Sequence, residues 1–315
     1  MPMRKYFITG GAGFIGSHLV DRLAARARIT VYDNLNTGRK DFIRQHLGKS
    51  DFQFVQSDLL DFDTLTRAIA GSDVVFHLAA NPDTRTGIED TGLDLKQGTI
   101  ATRNVLEAMR LQHIRKIVFV SSSTIYGETG ATPVSEDSNS LLPISLYGAS
   151  KLACEGFISA FCHTFDMQSL IFRLANIVGG RSNHGVIFDF INKLKQNSGE
   201  ITILGNGTQE KPYLYIDDCV DGILSGWERS QGRLNIFNLG NDSSTNVNSI
   251  ASMVAEAMGL GGMKFSYTGG ERGWRGDVSQ VRYSIARMRG MGWKPTLSSD
   301  AAVRRAIMDI LSKQK

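Results

Sequence analysis

Tyr147 and Lys151, four residues apart in Tyr147-Gly148-Ala149-Ser150-Lys151, are the pair in this chain best suited to moving a proton. Residues at that spacing share one face of a helix, so an ammonium can sit beside a phenol and stabilise its anion. A phenol that ordinarily titrates near pH ~10 then becomes a base usable closer to neutrality. Of the 8 tyrosines only this one is followed at that distance by a lysine, where chance predicts about a third of one such pair. Upstream stands a hydroxyl cluster, Ser121-Ser122-Ser123-Thr124-Ile125-Tyr126-Gly127. A serine-rich turn would explain its composition but not its place directly after an apolar run.

A second chemistry is anion binding. In Lys5 to Ser17 a short apolar run breaks into Gly10, Gly13 and Gly16 and resumes with a helical pattern, the signature of strand, tight turn and helix N-terminus. Glycine serves where the backbone turns with positive φ and where a phosphate approaches the chain, and the first-turn amides then meet the anion. This predicts a bound pyrophosphate. A dinucleotide site also wants an acid about 20 residues further on for the adenosine ribose hydroxyls. Asp33 falls there, after the β-rich run Ile29 to Tyr32, and a carboxylate at that point favours NAD over NADP. The competing reading of Asp33 is a turn residue, because Asp33-Asn34-Leu35-Asn36-Thr37-Gly38 is good turn composition.

Elements that would position these groups alternate along the chain. Strand-like Phe52 to Gln56, Asp73 to His77, Lys116 to Val120 and Ser169 to Phe172 are separated by helix-like Phe62 to Ala70, Thr99 to Leu111 and Tyr147 to Phe165. Continuous apolar runs such as Ile117-Val118-Phe119-Val120 suit strands covered on both faces, so the fold class is α/β with a doubly wound parallel sheet. Ligands of such sheets sit beyond the carboxyl ends of the strands. There, Asp58-Leu59 offers a carboxylate either to an adenine amino group or, as an N-cap, to the helix starting near Asp61. His77-Leu78-Ala79-Ala80 offers small side chains over which a flat cofactor can lie, with His77 itself expected to be a packed structural histidine.

Composition excludes several classes. With 42% hydrophobic and 21% charged residues in 315, the chain suits one large domain and a smaller one. The balance of 35 basic to 31 acidic residues leaves only +4 with no basic block, which argues against nucleic-acid binding. No apolar run reaches the roughly 20 residues that span a bilayer, and the first strand begins almost at Met1, so no membrane association and a cytoplasmic location are expected. Cys154, Cys162 and Cys219 match no metal spacing and are expected to be reduced packing residues; no metal is expected.

Taken together, Thr9-Gly10-Gly11-Ala12-Gly13-Phe14-Ile15-Gly16, Asp33-Asn34-Leu35, Ser57-Asp58-Leu59, His77 to Ala80, Ser121 to Gly127, Tyr147 to Lys151 and Arg173 to Gly179 resemble the extended short-chain dehydrogenase/reductase family. Within it they resemble NAD-dependent nucleotide-sugar epimerases of the UDP-glucose 4-epimerase type. The resemblance implies an NAD-binding Rossmann domain over 1–176 and a smaller α/β nucleotide-sugar domain over 177–315, with segments near 213–240 returning to the sheet. It implies that Gly10, Gly13, Phe14, Ile15, Gly16, Asp33, Asn34, Asp58, Leu59, Leu78, Ala79, Ala80, Ser121, Tyr147 and Lys151 contact NAD. Tyr147 would be the acid/base at the sugar 4-hydroxyl, and Lys151 would hold the nicotinamide ribose and depress the Tyr147 pKa. Ser122, four residues before Tyr126, matches the catalytic Ser/Thr, with Ser123 the runner-up for that role.

On the substrate side the resemblance implies that Asn176 contacts the sugar diphosphate and that Gly185-Val186-Ile187 lies near uracil. Ile201 to Gly207 and Pro212 to Ile216, including Tyr213, look like paired segments covering the nucleotide, with Gln209 and Lys211 directed there. Arg275 and Asp277 match a phosphate-binding arginine and a ribose-binding aspartate, while Asp217-Asp218 is expected to cap the helix Val220 to Trp227. Related 4,6-dehydratases carry an acidic pair where Ser123 and Thr124 stand, and related decarboxylases a Glu at the Thr124 place. Elimination across C5 and C6 needs an acid and a base that hydroxyls do not supply. The implied reaction is therefore 4-epimerisation of a UDP-hexose, as in galactose metabolism: oxidation at C4, rotation of the 4-keto sugar, and hydride return to the other face. Two departures stand out, Gly98 where many relatives have Asn and Lys211 where many have Arg, and Val281 falls near a position that a bulky tyrosine restricts in some. The last would admit an N-acetyl group. A homodimer is implied through the helices near 99–111 and 147–165, with Val105, Leu106 and Met109 on one and Leu152, Phe157 and Phe161 on the other.

Overall fold

A computed structural model describes residues 3–130 and 132–313. The chain runs through β1 (Lys5–Thr9), α1 (Phe14–Leu23), β2 (Arg28–Asp33), β3 (Phe52–Gln56), α2 (Phe62–Ala68), β4 (Val74–His77), α3 (Ala101–Leu111), β5 (Lys116–Ser122), α4 (Leu146–Thr164) and β6 (Gln168–Leu174). It continues with β7 (Asn176–Val178), α5 (Val186–Gln196), β8 (Glu200–Ile203), β9 (Glu210–Lys211), β10 (Tyr213–Tyr215), α6 (Ile216–Arg229) and β11 (Leu234–Leu239). The last elements are β12 (Thr245–Asn246), α7 (Val247–Ala257), β13 (Lys264–Tyr267), α8 (Ala286–Gly290) and α9 (Ser299–Ser312).

Seven strands form one parallel sheet in the order β3-β2-β1-β4-β5-β6-β11, so the strand order reverses between β1 and β4. This is the doubly wound α/β fold that the alternating pattern predicts. The apolar runs explain why the sheet is covered on both faces: Phe7, Ile8, Val75, Phe76, Ile117, Val118, Ile171 and Phe172 are all completely buried. A residue of either parity along such a strand needs an apolar neighbour, and flanking helices supply it.

The chain divides into two compact units that interleave in sequence. One holds the chain up to Ser122 with Leu146–Arg173 and Ile223–Phe237; the other holds Ser123–Ser145, Leu174–Gly222 and the chain from Asn238 onward. In the first unit, Val105, Leu106 and Met109 of α3 pack with Ile158 and Cys162 of α4 against Phe7, Val75, Ile117 and Ile171. The α3 residues offered above for a dimer seam are thus spent on the sheet, while Phe157 of α4 stays exposed. In the second unit, Phe190, Ile191 and Leu194 of α5, Ile250 and Val254 of α7, and Val303 and Ile307 of α9 enclose a separate core.

Local chemistry sets the ends of helices. Asp61 caps α2 by accepting from Thr64 N (3.1 Å), Asn246 caps α7 through Ser249 N (2.8 Å), and Ser298 caps α9 through Ala301 N (3.3 Å). α6 starts at Ile216, so Asp217 and Asp218 lie inside its first turn, and the Asp218 carboxylate accepts from Thr296 N (3.0 Å) and Thr296 Oγ1 (2.8 Å). The segments 201–207 and 212–216 do not pair with each other. β8 pairs with β13 and β10 with β7, and Gly205 and Gly207 between β8 and β10 both have positive φ. Among the described residues no helix is long and apolar enough to cross a membrane, and no group of three or more His, Cys, Asp or Glu side chains is placed to hold a metal. All three cysteines are buried free thiols.

Candidate active site

β1 delivers the chain into a turn that tolerates almost no side chain. Gly10 has φ +67 and donates to Tyr32 O (3.0 Å), and a Cβ on it would meet Ala79 N at 2.7 Å. A Cβ on Gly16 would press into the Gly10 carbonyl. Gly13, extended, is the N-cap of α1 with no side-chain cap, and no acidic residue occupies the first turn. The amides of Phe14 and Ile15 therefore remain for an anion, and the turn fits a pyrophosphate.

At the end of β2 the Asp33 carboxylate, 8% exposed, accepts from Ala12 N (3.0 Å) and Leu35 N (2.9 Å). It thereby ties the glycine turn to the β2 loop, and burial pushes its pKa up. Asn34 donates to Asp58 Oδ2 (2.8 Å), while Asp58 Oδ1 accepts from Leu60 N (2.9 Å), which places Asp58 beside the β2 end and leaves capping of α2 to Asp61. Leu59 is buried in the core. After β4, Leu78 N bonds Thr9 O (3.2 Å) and Ala79 N bonds Thr9 Oγ1 (3.2 Å), so this small-residue segment lies against the glycine turn. His77 is fully buried between Thr9 Oγ1 (2.6 Å) and Thr102 Oγ1 (3.0 Å), and burial holds its pKa down at about 3. It is a neutral packing residue.

β5 ends at Ser122 and α4 opens at Leu146, one residue before Tyr147. The Ser122 hydroxyl bonds the Tyr147 phenol. Lys151, only 4% exposed, donates from Nζ to Val120 O (2.8 Å). The same Nζ lies 4.7 Å from the Phe119 ring centroid and 5.8 Å from that of Tyr147. The helical spacing thus does bring ammonium and phenol together. The expected depression of the phenol's pKa is corrected by the structure: burial, then the charge of Asp94, raise it, against a lowering from Ser122, and burial also lowers the pKa of Lys151. Removing both groups from water favours the neutral form of each. Ser121 turns its side chain away from the strand end. Its hydroxyl turns inward to Glu155 Oε1 (2.5 Å), within a buried ion pair of Glu155 with Arg173 (2.8 Å), so only its backbone is left for a ligand.

In the second unit, Asn176 is exposed on β7, and Gly185, at φ +89, is an N-cap of α5 without a side-chain cap, leaving the amides of Val186 and Ile187 open. Gln209 is buried; its Nε2 donates to Leu204 O (3.1 Å) and its Oε1 has no partner. Lys211 forms an ion pair with Asp277, whose other oxygen accepts from Gly273 N (3.1 Å). The backbone bond from Glu210 N to Ser279 O (2.9 Å) brings the 277–281 segment beside β9, so Gln209, Lys211, Asp277 and the buried Val281 gather in one place. Arg275 is exposed. Tyr213 departs from the expectation: its ring is packed in the unit's core, while its backbone N donates to Ser299 Oγ (3.1 Å) and its carbonyl accepts from Asn241 Nδ2 (3.0 Å).

Comparison with known proteins matches residues 6–240 to the NAD dependent epimerase/dehydratase family. The chain belongs to this family. Like that family it is an NAD-dependent sugar-nucleotide enzyme. The epimerase/dehydratase chain is 31% identical over 313 residues to a UDP-glucose 4-epimerase of Mycolicibacterium smegmatis, covering 96% of this chain and 97% of that one. It is 31% identical over 263 residues to a UDP-N-acetyl-alpha-D-glucosaminuronate decarboxylase of Bacillus cytotoxicus, covering 79% and 78%. A solved UDP-galactose 4-epimerase superposes with a TM-score of 0.87 at 36% identity, over 98% of this chain and 99% of that one.

Some buried polar contacts of the first unit escape sequence reading. Asp94 and Asn81 sit in the long connection after β4, where Asn81 Nδ2 donates to Asp94 Oδ1 (3.1 Å) and to Thr86 Oγ1 (2.7 Å). Their only sequence signal is an Asp ahead of an amphipathic run, which reads as an ordinary cap. The Glu155–Arg173 pair has no signal either, since its members lie on different elements.

Proposed function

We propose that this enzyme is a UDP-hexose 4-epimerase, acting on UDP-glucose and UDP-galactose and, through the small Val281, on their N-acetyl forms. The observation that carries the proposal is the Ser122 hydroxyl bonded to the Tyr147 phenol, with the Lys151 ammonium held 5.8 Å from the phenol ring. Ser122 passes the proton of the sugar 4-hydroxyl to Tyr147, and Tyr147 returns it at the end of the cycle. NAD, which Gly13, Asp33 and Lys151 would hold, would supply reversible hydride transfer at sugar C4. Lys151, whose Nζ uses one donor on Val120 O, keeps further N–H groups for the ribose of the cofactor. Gly13 with the first turn of α1 would receive the pyrophosphate and Asp33 the adenosine ribose, both in the first unit. In the second unit Gln209, Lys211, Arg275 and Asp277 supply groups suited to a uridine diphosphate: a free amide oxygen, two cations and a ribose-type acceptor. Ser123 and Thr124 place hydroxyls where a dehydratase or decarboxylase of the family needs acid/base side chains, and this favours epimerisation over those reactions.

A panel of UDP-sugars incubated with purified enzyme tests the reading by product. UDP-galactose from UDP-glucose, with no net consumption of NAD, supports it; a 4-keto-6-deoxy product or a decarboxylated pentose would replace it with one of the alternative reactions. A homodimer through the exposed side of α3 and α4 is part of the same proposal, with Leu111 and Phe157 as its apolar groups.

A further inference from the structure

Tyr283, 5% exposed, is a phenol whose hydroxyl has no hydrogen-bond partner among the described residues. Buried polar groups are almost always paired, and one left unpaired costs stability that a phenylalanine would keep. Tyr126 of the same unit, 3% exposed, shows the paired case. Its hydroxyl donates to Asn238 Oδ1 (2.7 Å), and Asn238 Nδ2 donates to Val134 O (3.1 Å) and Ser284 O (3.0 Å). That phenol ties the unit together. The Tyr283 hydroxyl has no such acceptor: the Ser123 side chain is near enough to influence it, yet the geometry falls short of a hydrogen bond.

The backbone around Tyr283 is fixed on both sides, because Val134 N donates to Arg282 O (3.0 Å) and Ser284 N donates to Val134 O (2.9 Å). Val281 and Tyr283 are buried and alternate with the exposed Arg282, so their side chains share the inward face of this stretch. The ring lies over Gly240, where a Cβ would stand 2.3 Å from Tyr283 Cε2 and 3.1 Å from Ala175 Cβ. Only a residue without a side chain leaves the phenol this place. Ala175 and Gly240 directly follow β6 and β11, and ligands of a parallel sheet gather at such carboxyl ends.

Ser123 follows Ser122, which the proposed reaction sets at the sugar 4-hydroxyl. Of the two ring carbons beside C4, C5 carries an exocyclic carbon, C6, whose oxygen reaches beyond the ring. The side chains that act on the phenol are Ser123, Tyr126 and Tyr213, with no cation among them. Burial raises its pKa, so it stays a neutral donor. Such a donor suits a neutral oxygen, whereas a buried carboxylate wants a cation. We propose that Tyr283 is a specificity-determining residue whose O–H donates to the C6 hydroxyl of the bound hexose. The proposal rests on the UDP-hexose 4-epimerase reading and deepens it by naming the feature of the sugar that is selected. A UDP-hexose completes the hydrogen bond, a UDP-pentose leaves the phenol unpaired, and a UDP-hexuronate brings a charge that nothing there compensates.

Tyr283→Phe tests this, because it keeps the ring over Gly240 and removes only the hydroxyl. Binding of UDP-glucose, UDP-glucuronate and UDP-xylose to NAD-loaded protein is measured by calorimetry in a Tyr147→Phe background, so that no sugar is converted. Tyr283→Phe is expected to weaken UDP-glucose about tenfold and to leave UDP-xylose unchanged. The melting temperature of sugar-free protein should stay or rise, since an unpaired group is lost. Equal weakening of UDP-glucose and UDP-xylose, or of neither, overturns the proposal, and so does a lower melting temperature, the mark of a hydrogen bond made within the chain. A loss confined to UDP-glucuronate overturns the assignment to a neutral oxygen. Wild-type enzyme that turned over no UDP-glucose would remove the epimerase reading, and the binding comparison would still decide the role of Tyr283.

Discussion

Tyr147 and His77 show how burial alone assigns opposite duties to two titratable side chains. The phenol, bonded to Ser122 near a buried ammonium, is the proposed proton carrier. Tyr147→Phe is expected to lower kcat by about 10²–10⁴-fold while NAD binding persists, checked by turnover and by cofactor titration on the same sample. His77 carries no proton at working pH. With a folded pKa of about 3 against an ordinary value of 6.5, the unfolded chain binds a proton that the folded one refuses. Its contribution is present above pH ~6.5 and is lost as pH falls towards ~3, at about 1.4 kcal/mol per pH unit. His77→Gln should therefore flatten the loss of stability between those limits in thermal melts taken across that range; an unchanged slope would put the acid sensitivity elsewhere.

At the scale of elements, the approach of the 94–100 segment to α4 is set by two small residues. Gly98 leaves no room for a Cβ because Ser150 Oγ occupies it. Where many relatives carry Asn at this point, the absent side chain reads from sequence as a lost cofactor contact; in the folded chain the glycine is required by packing. Gly98→Ala is expected to destabilise by about 1–3 kcal/mol despite the better helix propensity of alanine, because overpacking outweighs backbone entropy. Removing the obstructing hydroxyl in the Gly98→Ala, Ser150→Ala double variant should recover part of that loss in a denaturant melt. Simple additivity of the two single changes would disprove the contact.

For the whole molecule, the interleaving of the two units means that each is assembled from distant stretches of sequence. The first takes its last strand, β11, from residues beyond α6, and the second takes 123–145 from the middle of the first. The proposed dimer would form on α3 and α4 of the first unit, where Phe157 is 42% exposed while Val105, Leu106 and Met109 are buried. Phe157→Glu should convert a dimer into a monomer by light scattering, at little cost to the fold, since the ring is already exposed in the single chain. A mass unaltered by this charge would move the interface to another face.

The order of strand and helix, the parallel sheet, the glycine turn with Asp33, and the Tyr147–Lys151 face of α4 all follow from the sequence. Each rests on periodicity or on spacing within one element, and local chain geometry fixes those. What only the folded chain decides is where groups far apart in sequence meet. Capping of α2 falls to Asp61 and not Asp58; Asp218 binds Thr296; Ser121 turns to Glu155; Tyr213 enters a core; and Asp94 lies against the catalytic helix. The direction of the Tyr147 shift belongs with these, because desolvation depends on everything packed around a group and no spacing between two residues encodes it.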